Sequence, residues 1–537
     1  MSIKTFAKKN KLFTGITVFF LIWILILVIL GLFITRTVVF WDALAQSDVS
    51  SQYQSYIPAL RYIVEPFAAI GFNLGMDFTW IILFLLSYVA LRIVYLYLRK
   101  KDRIKSEKYL LLKYAIGDFL IFAFQVCAPI FLLVGIIMGL GYLFVGFYFV
   151  NLYWDVLIHI EMIICFIFLL IKIVHLIVTM YHPNLRFNYL SKKRHQPRDR
   201  MTKRQINYQF SKREFIYFMT MLMMAFNTNF LFISIPFPTQ SIQKNLTSDE
   251  VLIDLHVHTT ASDGWLTPEQ RVMWYIEQGV SVAAFSDHDN RRGAIAAQGF
   301  VGQMGLDFTV LMAEEWTDHA NDIHMNIYGL DETIVPLESA TVGGPKAMNA
   351  KDTIEYVKNN GGYITVNHYN YKNNGSGGYG VPYTLVQLRD WGVDGFEIIN
   401  GNSHKGKYLK IREFCLNNSL ICMSGTDVHT NEPLNSFIRL TLPDPNNKTV
   451  DSIFNVLRAN THSAVAIQHN SELVNIPGYL KDIGFKEIEH FLNYFLNLDS
   501  YQVLSWIMWS SGFFAIFVLI YREIKKVELA LLRDKIL

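Results

Sequence analysis

Six stretches of this chain are too long and too apolar for an ordinary soluble core, and they decide its architecture before anything else. A helix needs about 20 apolar residues to cross a bilayer, because lipid offers no hydrogen-bond partner to an open backbone. Such runs stand at roughly 14–35, 77–97, 214–235 and 502–521. The stretch 115–181 holds two more, broken near the polar residues 151–155, and its first part has a re-entrant or kinked segment around Pro129 as the alternative. The run at 14–35 follows Lys4, Lys8, Lys9 and Lys11 and exceeds the apolar core of a signal peptide. An uncleaved anchor is expected, although Ala43-Leu44-Ala45 offers a cleavage-like site. Composition agrees: 52% of the residues are hydrophobic and only 17% charged, against about 25% charged in soluble proteins.

Lysine and arginine set the expected orientation. The N-terminus is basic, as are Arg99–Lys108 after the second run, Lys192–Arg204 after the fourth, and Arg522, Lys525 and Lys526 after the sixth. The alternate segments, 36–76 and 151–155, are nearly free of basic residues. Both termini are therefore expected in the cytoplasm, with 236–501 extracytoplasmic or lumenal. Asn-x-Ser/Thr sequons at Asn245, Asn374, Asn417 and Asn447 all fall in that outer segment. Ionisable residues inside the runs, Asp118, His159, Glu161 and Lys172, are functional suspects or pairs across the bundle. The net charge of +3 points to no polyanionic partner, and no nucleic acid is indicated. The four cysteines form no C-x-x-C pair, so they suggest neither a thiolate metal site nor a disulfide framework.

The expected organisation is a transmembrane region over 1–240, a soluble domain over 246–470, a connecting or interfacial helix over 471–500, and a last span with a basic tail over 501–537. Within the soluble domain short apolar runs alternate with helical patterns. The runs at 251–258, 281–289, 308–316, 362–370, 394–400 and 419–429 read as strands. Thr267-Pro268-Glu269-Gln270 reads as a helix N-terminus with a capping box, and that helix ends at Gly279. Strands alternating with helices predict parallel pairing with helices outside, and such folds keep their sites at the C-terminal strand ends.

Histidines and carboxylates gather at those ends. His256 and His258, two apart on one strand, face the same way. Asp263 follows in a Ser-Asp-Gly turn, His288 lies in Ser286-Asp287-His288-Asp289, and Glu314 and Glu315 precede His324. His368 ends the next strand, Glu397 stands near the end of another, and Asp427 and His429 close the series. Three or four protein ligands suffice for one ion, so about nine candidates predict a multinuclear site of divalent ions such as manganese, zinc, iron or magnesium.

The ordered motifs DLHVHTTASDG, SDHD, the glutamate-then-histidine pair, NHY and SGTDVH resemble those of the PHP (polymerase and histidinol phosphatase) superfamily, over roughly 250–470. The resemblance implies a distorted seven-stranded βα barrel, TIM-like, with two or three metal ions. It assigns His256, His258, Glu315 and Asp427 to one ion. Glu315, His324 and His368 go to a second, and Asp263, His288 and His429 to a third. Glu315 is preferred over Glu314 as the bridge, and Glu315, Asp427 and His429 are the expected catalytic residues. Asp287 and Asp289 are expected to orient ligands, and Arg291 and Arg292 are candidates for holding phosphate. His319, His404 and His462 are read as structural. Tyr369 stands where the family has proline, and 331–350 is an extended excursion that shapes access. The implied activity is that of a phosphoesterase acting on a phosphorylated small molecule or lipid head group at the membrane. The alternatives are a hydrolase of another bond on the same site, or a receptor or transporter with a non-catalytic barrel.

Overall fold

The computed structural model describes residues 11–33, 38–74, 79–100, 110–145, 147–182, 202–234, 241–244, 247, 249–370, 380–469 and 473–533. Lys4, Lys8, Lys9, the basic residues at 101–108 and 192–200, Asn245 and Asn374 lie outside them. The apolar runs become α1 (Lys11–Phe33), α3 (Trp80–Lys100), α4 (Leu110–Val145), α5 (Phe147–Tyr181), α6 (Lys203–Ser234) and α14 (Ser500–Arg533), with a shorter α2 (Ala59–Leu74) beside them. Among the described residues these six long helices are apolar enough to cross a membrane, and no more than 22% of any apolar window is buried. Such outward apolar surface needs lipid to cover it. Helix α4 runs unbroken through Pro129, so no re-entrant segment forms, and α5 begins at Phe147, ahead of the polar stretch expected to interrupt it.

Charges inside the bundle pair rather than face lipid. Lys172 Nζ lies 2.6 Å from Asp118 Oδ2, joining α5 to α4, and Arg92 meets Glu214 across α3 and α6. His159 packs its ring on Phe230, and Glu161 is buried beside Cys165. All four cysteines are free and buried.

The first strands come from between the spans: β1 (Val39–Asp42), β2 (Ser47–Asp48), β3 (Tyr53–Tyr56) and β4 (Ser241–Lys244). There follow β5 (Glu250–Val257), α7 (Pro268–Gln278), β6 (Val282–Phe285), α8 (Arg292–Met304), β7 (Thr309–Asp318), β8 (Ile323–Tyr328), β9 (Ile334–Pro336) and β10 (Lys346–Met348). Then come α9 (Ala350–Asn359), β11 (Tyr363–Val366), α10 (Leu385–Trp391), β12 (Gly395–Asn400), α11 (Lys407–Asn417), β13 (Ile421–Gly425), β14 (Ser436–Thr441), α12 (Val450–Leu457) and β15 (Ser463–Gln468). The expected signals act locally: Thr267 and Gln270 close a capping box on α7, and Gly279 ends it at φ 81°, a left-handed position that favours glycine.

The parallel barrel expected from the sequence is not what forms. Eleven strands make one mixed sheet in the order β13-β12-β11-β8-β7-β6-β5-β14-β15-β1-β2, and a closed barrel is not present among the described residues. Parallel pairing holds for β5-β6-β7 and β11-β12-β13. Strand β8 follows β7 through a short turn and is forced antiparallel to both β7 and β11; β14 is antiparallel to β5. The sheet curls until the end of β5 meets the residues after β13. There, contact is one bridge, Val257 to Val428, with Asp427 N–H donating to His256 O at 2.9 Å. Ladder closure stops at that point because Asp427 turns out of the strand, with φ 51°.

Strand β1 pairs antiparallel with β15 in register Val39↔Gln468, so the segment between α1 and α2 completes the soluble sheet. Helix α13 (Lys486–Phe495) occupies part of the expected connecting helix. Tyr494 donates to Glu65 of α2 at 2.6 Å, and Thr79 donates to Glu487 at 2.5 Å, binding α13 to the bundle.

Candidate metal centre

Strand direction assembles the site. The C-terminal ends of β5, β6, β7, β11 and β13 point to one mouth, and each delivers a histidine or carboxylate there. All nine residues singled out in the sequence meet at it. His256 and His258 put their Nε2 atoms 3.1 Å apart, and each lies 3.3 Å from the Glu315 carboxylate. Glu315 is also 2.9 Å from His288, 3.2 Å from His324 and 3.5 Å from His368. Asp427 Oδ1 is 3.2 Å from His258 and 3.5 Å from His256; Asp263 is 3.2 Å from His429 and 3.6 Å from His288.

Three groups of donor atoms converge closely enough to hold an ion each: His258, Asp263, His288 and His429; His256, His258 and Asp427; and His288, Glu315 and His324. The grouping differs in detail from the one the resemblance implies. His258 stands in two groups, and His288 shares the Glu315 group, with His368 at its edge. The donor set itself fits divalent ions. Ligand nitrogens and oxygens at about 2.0–2.2 Å from an ion stand about 3 Å from each other, which is the spacing seen here. His256, His258 and Glu315 are almost wholly buried, with 0%, 0% and 1% of the side chain exposed, so their lone pairs converge away from water.

Electrostatics are consistent with that packing. Burial works against ionising Glu315, yet His256, His288 and His324 around it hold its carboxyl well below the usual range. Burial likewise opposes the charge on Asp427, while His256, His258 and His429 pull it below the ordinary aspartate range. Burial disfavours the His429 cation, but Asp263 raises it to about 9. Three of the seven non-glycine residues with positive φ among those described, Asp289, His368 and Asp427, sit at this mouth. Each such residue costs about 1–3 kcal/mol, strain that clusters at functional sites.

The neighbouring glutamates face opposite ways. Glu315 points into the mouth; Glu314 points outward and accepts the Ile334 N–H at 2.8 Å. Asp287 accepts from Thr259 N–H, Thr259 Oγ1 and Ser262 Oγ at 2.7–2.8 Å, so it shapes the turn that presents Asp263. Asp289 accepts from the Thr317 N–H at 3.0 Å, and the Thr317 hydroxyl lies 2.6 Å from His288 Nδ1. Arg292, one of the two sequence candidates for phosphate, is held by Asn290 and the Ala261 carbonyl, whereas Arg291 makes a long 3.9 Å contact to the exposed Asp331. His462 is bound to the Cys422 carbonyl and His404 to the Asn402 carbonyl, away from the mouth.

Other residues were not assigned roles by motif. Glu397 Oε1 lies 2.8 Å from His256 Nδ1, and its Oε2 accepts the His368 N–H at 2.8 Å. Its place at a strand end was the one signal for it. A Cβ at Gly425 would meet Glu397 Oε1 at 2.2 Å and His256 Cβ at 2.5 Å, so only glycine lets this pair close. Asn367 donates to Glu315 at 2.8 Å, and Lys407 Nζ donates to the His368 carbonyl at 3.3 Å. Asn367 stands in the NHY motif without an assigned role, and no motif pointed to Lys407.

No family model matches the chain. Over 83 residues, 15% of this chain and 28% of the relative, it is 39% identical to a protein named 5'-3' exoribonuclease Rnm from Salmonella typhimurium. Over 91 residues, 16% and 30% of the two chains, it is 36% identical to the protein of that name from Escherichia coli. A 5'-3' exoribonuclease of Haemophilus influenzae is 34% identical over 104 residues, 19% and 37% of the two chains. The chain thus spans between 28% and 37% of the length of the curated relatives it matches. Among solved structures, a two-domain Bacteroides vulgatus protein described as containing a predicted PHP-like metal-dependent phosphoesterase matches 40% of this chain and 64% of its own, at 16% identity and TM-score 0.32. An amidohydrolase from Chromobacterium violaceum matches 33% and 87%, at 18% identity and TM-score 0.25. The expectation that no nucleic acid is indicated is not supported, because these relatives are named exoribonucleases.

Proposed function

We propose that this chain is a membrane-embedded, metal-dependent hydrolase of phosphate esters, with His256, His258, Asp263, His288, Glu315, His324, His368, Asp427 and His429 holding two or three divalent ions. The observation that carries the reading is the convergence of these nine side chains, from the C-terminal ends of β5, β6, β7, β11 and β13 and the start of β8, at spacings of 2.9–3.6 Å about one mouth. Bound ions would neutralise charge on phosphoryl oxygens and acidify a water. The protein's own part is orientation. Glu397 sets the ring of His256, Asp287 sets the turn carrying Asp263, and Glu315, at the centre of the cluster, would help to hold an ion together with His288 and His324. Hydrolysis sends the water oxygen to phosphorus, breaks the P–O bond to the alcohol, and gives the alcohol a proton. The basic flanks of the apolar runs support placing the sheet on the extracytoplasmic or lumenal side.

A second reading, cleavage of phosphodiesters in RNA, is favoured by the similarity to the exoribonucleases. The test is metal content and hydrolysis of generic phosphomonoesters and diesters by the full chain in detergent, beside the His256→Ala, His258→Ala double variant. More than one equivalent of metal, with hydrolysis lost in the variant, is expected. A folded chain that binds no metal would refute the proposal.

A further inference from the structure

We infer that the metal site opens onto the membrane and that its substrate is the phosphate monoester of a bilayer lipid, reached from the membrane plane. This rests on the hydrolase reading above and adds the substrate class.

Strand direction carries the first half. β15 is antiparallel to β14, which is antiparallel to β5. β15 therefore runs parallel to β5, and its last residue, Gln468, lies at the end of the sheet where β5 delivers His256 and His258. Gln468 pairs with Val39, a few residues after α1 ends at Phe33. The strand pair that leads back to the bundle is thus anchored at the site end of the sheet. The opposite end of β5, at Glu250, pairs with Thr441, away from that anchor.

A direct contact carries the second half. Trp265 stands two residues after Asp263, and its N–H donates to the carbonyl of His429 at 2.7 Å. Its ring packs on Phe230, near the end of α6, with centroids 4.7 Å apart. Phe72 of α2 and Ile158 and Met162 of α5 complete the pocket, and Trp265 is only 6% exposed. The turn that presents Asp263 and is bonded to the backbone of His429 is therefore seated in the membrane bundle. The mouth itself stays accessible: the side chains of His324, His429, Asp427, His288 and His368 are 17–29% exposed and Asp263 is 42% exposed. On its rim Lys407 provides an ammonium beside His368. A cation there suits a phosphate group arriving from the head-group layer. A lipid monoester needs only to present its head group, whereas an RNA strand would have to thread between the domain and the bilayer surface.

The experiment uses the full chain reconstituted with divalent metal in phosphatidylcholine vesicles. Phosphate release is compared for phosphatidic acid in the same vesicles, for its water-soluble dibutyryl analogue, and for a 5'-phosphorylated oligoribonucleotide. At least about a tenfold higher kcat/KM for the vesicle lipid is expected, since binding energy from the membrane-held substrate is used at the site. Equal or faster cleavage of the soluble analogue or the RNA would overturn the inference and leave the hydrolase reading standing. Folded protein that takes up no metal and hydrolyses none of the three would overturn both. A turnover-independent readout is a fluorophore at Lys407→Cys in metal-free protein, which labels selectively because the four native cysteines are buried. Quenching by head-group nitroxide lipids is expected; emission unaffected by them would refute the orientation.

Discussion

Replacing Glu314 by glutamine should stabilise the extramembrane domain at alkaline pH and do nothing near pH 4. Glu314 is 1% exposed and packs its carboxyl against the backbone of Ile334. Burial pushes that carboxyl up to about 8, against the opposing pull of the Ile334 N–H, the Thr333 hydroxyl and Arg291; the ordinary value is 4.5. A raised folded-state carboxyl binds its proton more tightly than the unfolded chain does. Between pH 4.5 and about 8 the folded form holds a proton the unfolded form lacks, so stability falls as pH rises through that window. The interval, at about 1.4 kcal/mol per pH unit, makes a loss on the order of 5 kcal/mol by pH 8. Glutamine keeps the carbonyl that accepts from Ile334 and has no proton to lose. Thermal unfolding of the full chain in detergent, followed by tryptophan emission, should show equal midpoints near pH 4 and a widening gap above pH 4.5. At pH 8.5 the variant should lead by roughly 10 °C. Parallel pH profiles for the two proteins would show that this carboxyl does not titrate in the window, and the reasoning would fail.

Two further outcomes follow from the site and the sheet. Glu397→Gln keeps the side-chain shape but removes the carboxylate beside His256 Nδ1, so metal affinity should fall about 10–100-fold with the fold intact; unchanged affinity in a metal titration would refute the positioning role. A chain reduced to 246–470 lacks β1 and bares the edge of β15, which should drive aggregation; a monodisperse, cooperatively unfolding segment would show that β1 is dispensable.

Much of the site was legible because ligand chemistry is written in residue type and short spacing. His256 and His258 face one way because strand side chains alternate, whatever the sheet does. The same rule implied that Glu314 and Glu315 face opposite sides, though not which one faces the mouth. That was decided by where β9 brings the Ile334 N–H. Glu397 carries only its place at a strand end and Lys407 no local signal, since their partners lie 141 and 39 residues away along the chain.

The sequence by itself determined the six membrane-length helices, the run of strands and helices between the last two, and the nine side chains that gather at its mouth. Length of apolar run and period of side-chain direction are local quantities, and a bilayer or a strand answers to them directly. Only the tertiary structure decided that the sheet is mixed and unclosed, that Val39–Asp42 completes it, and that Trp265 seats the site against α6. Those outcomes depend on which edges and rings meet across hundreds of residues. β1, lying just beyond an apolar run, and β8, the antiparallel return after β7, did not declare themselves in the sequence pattern and are defined by the partners that supply their hydrogen bonds.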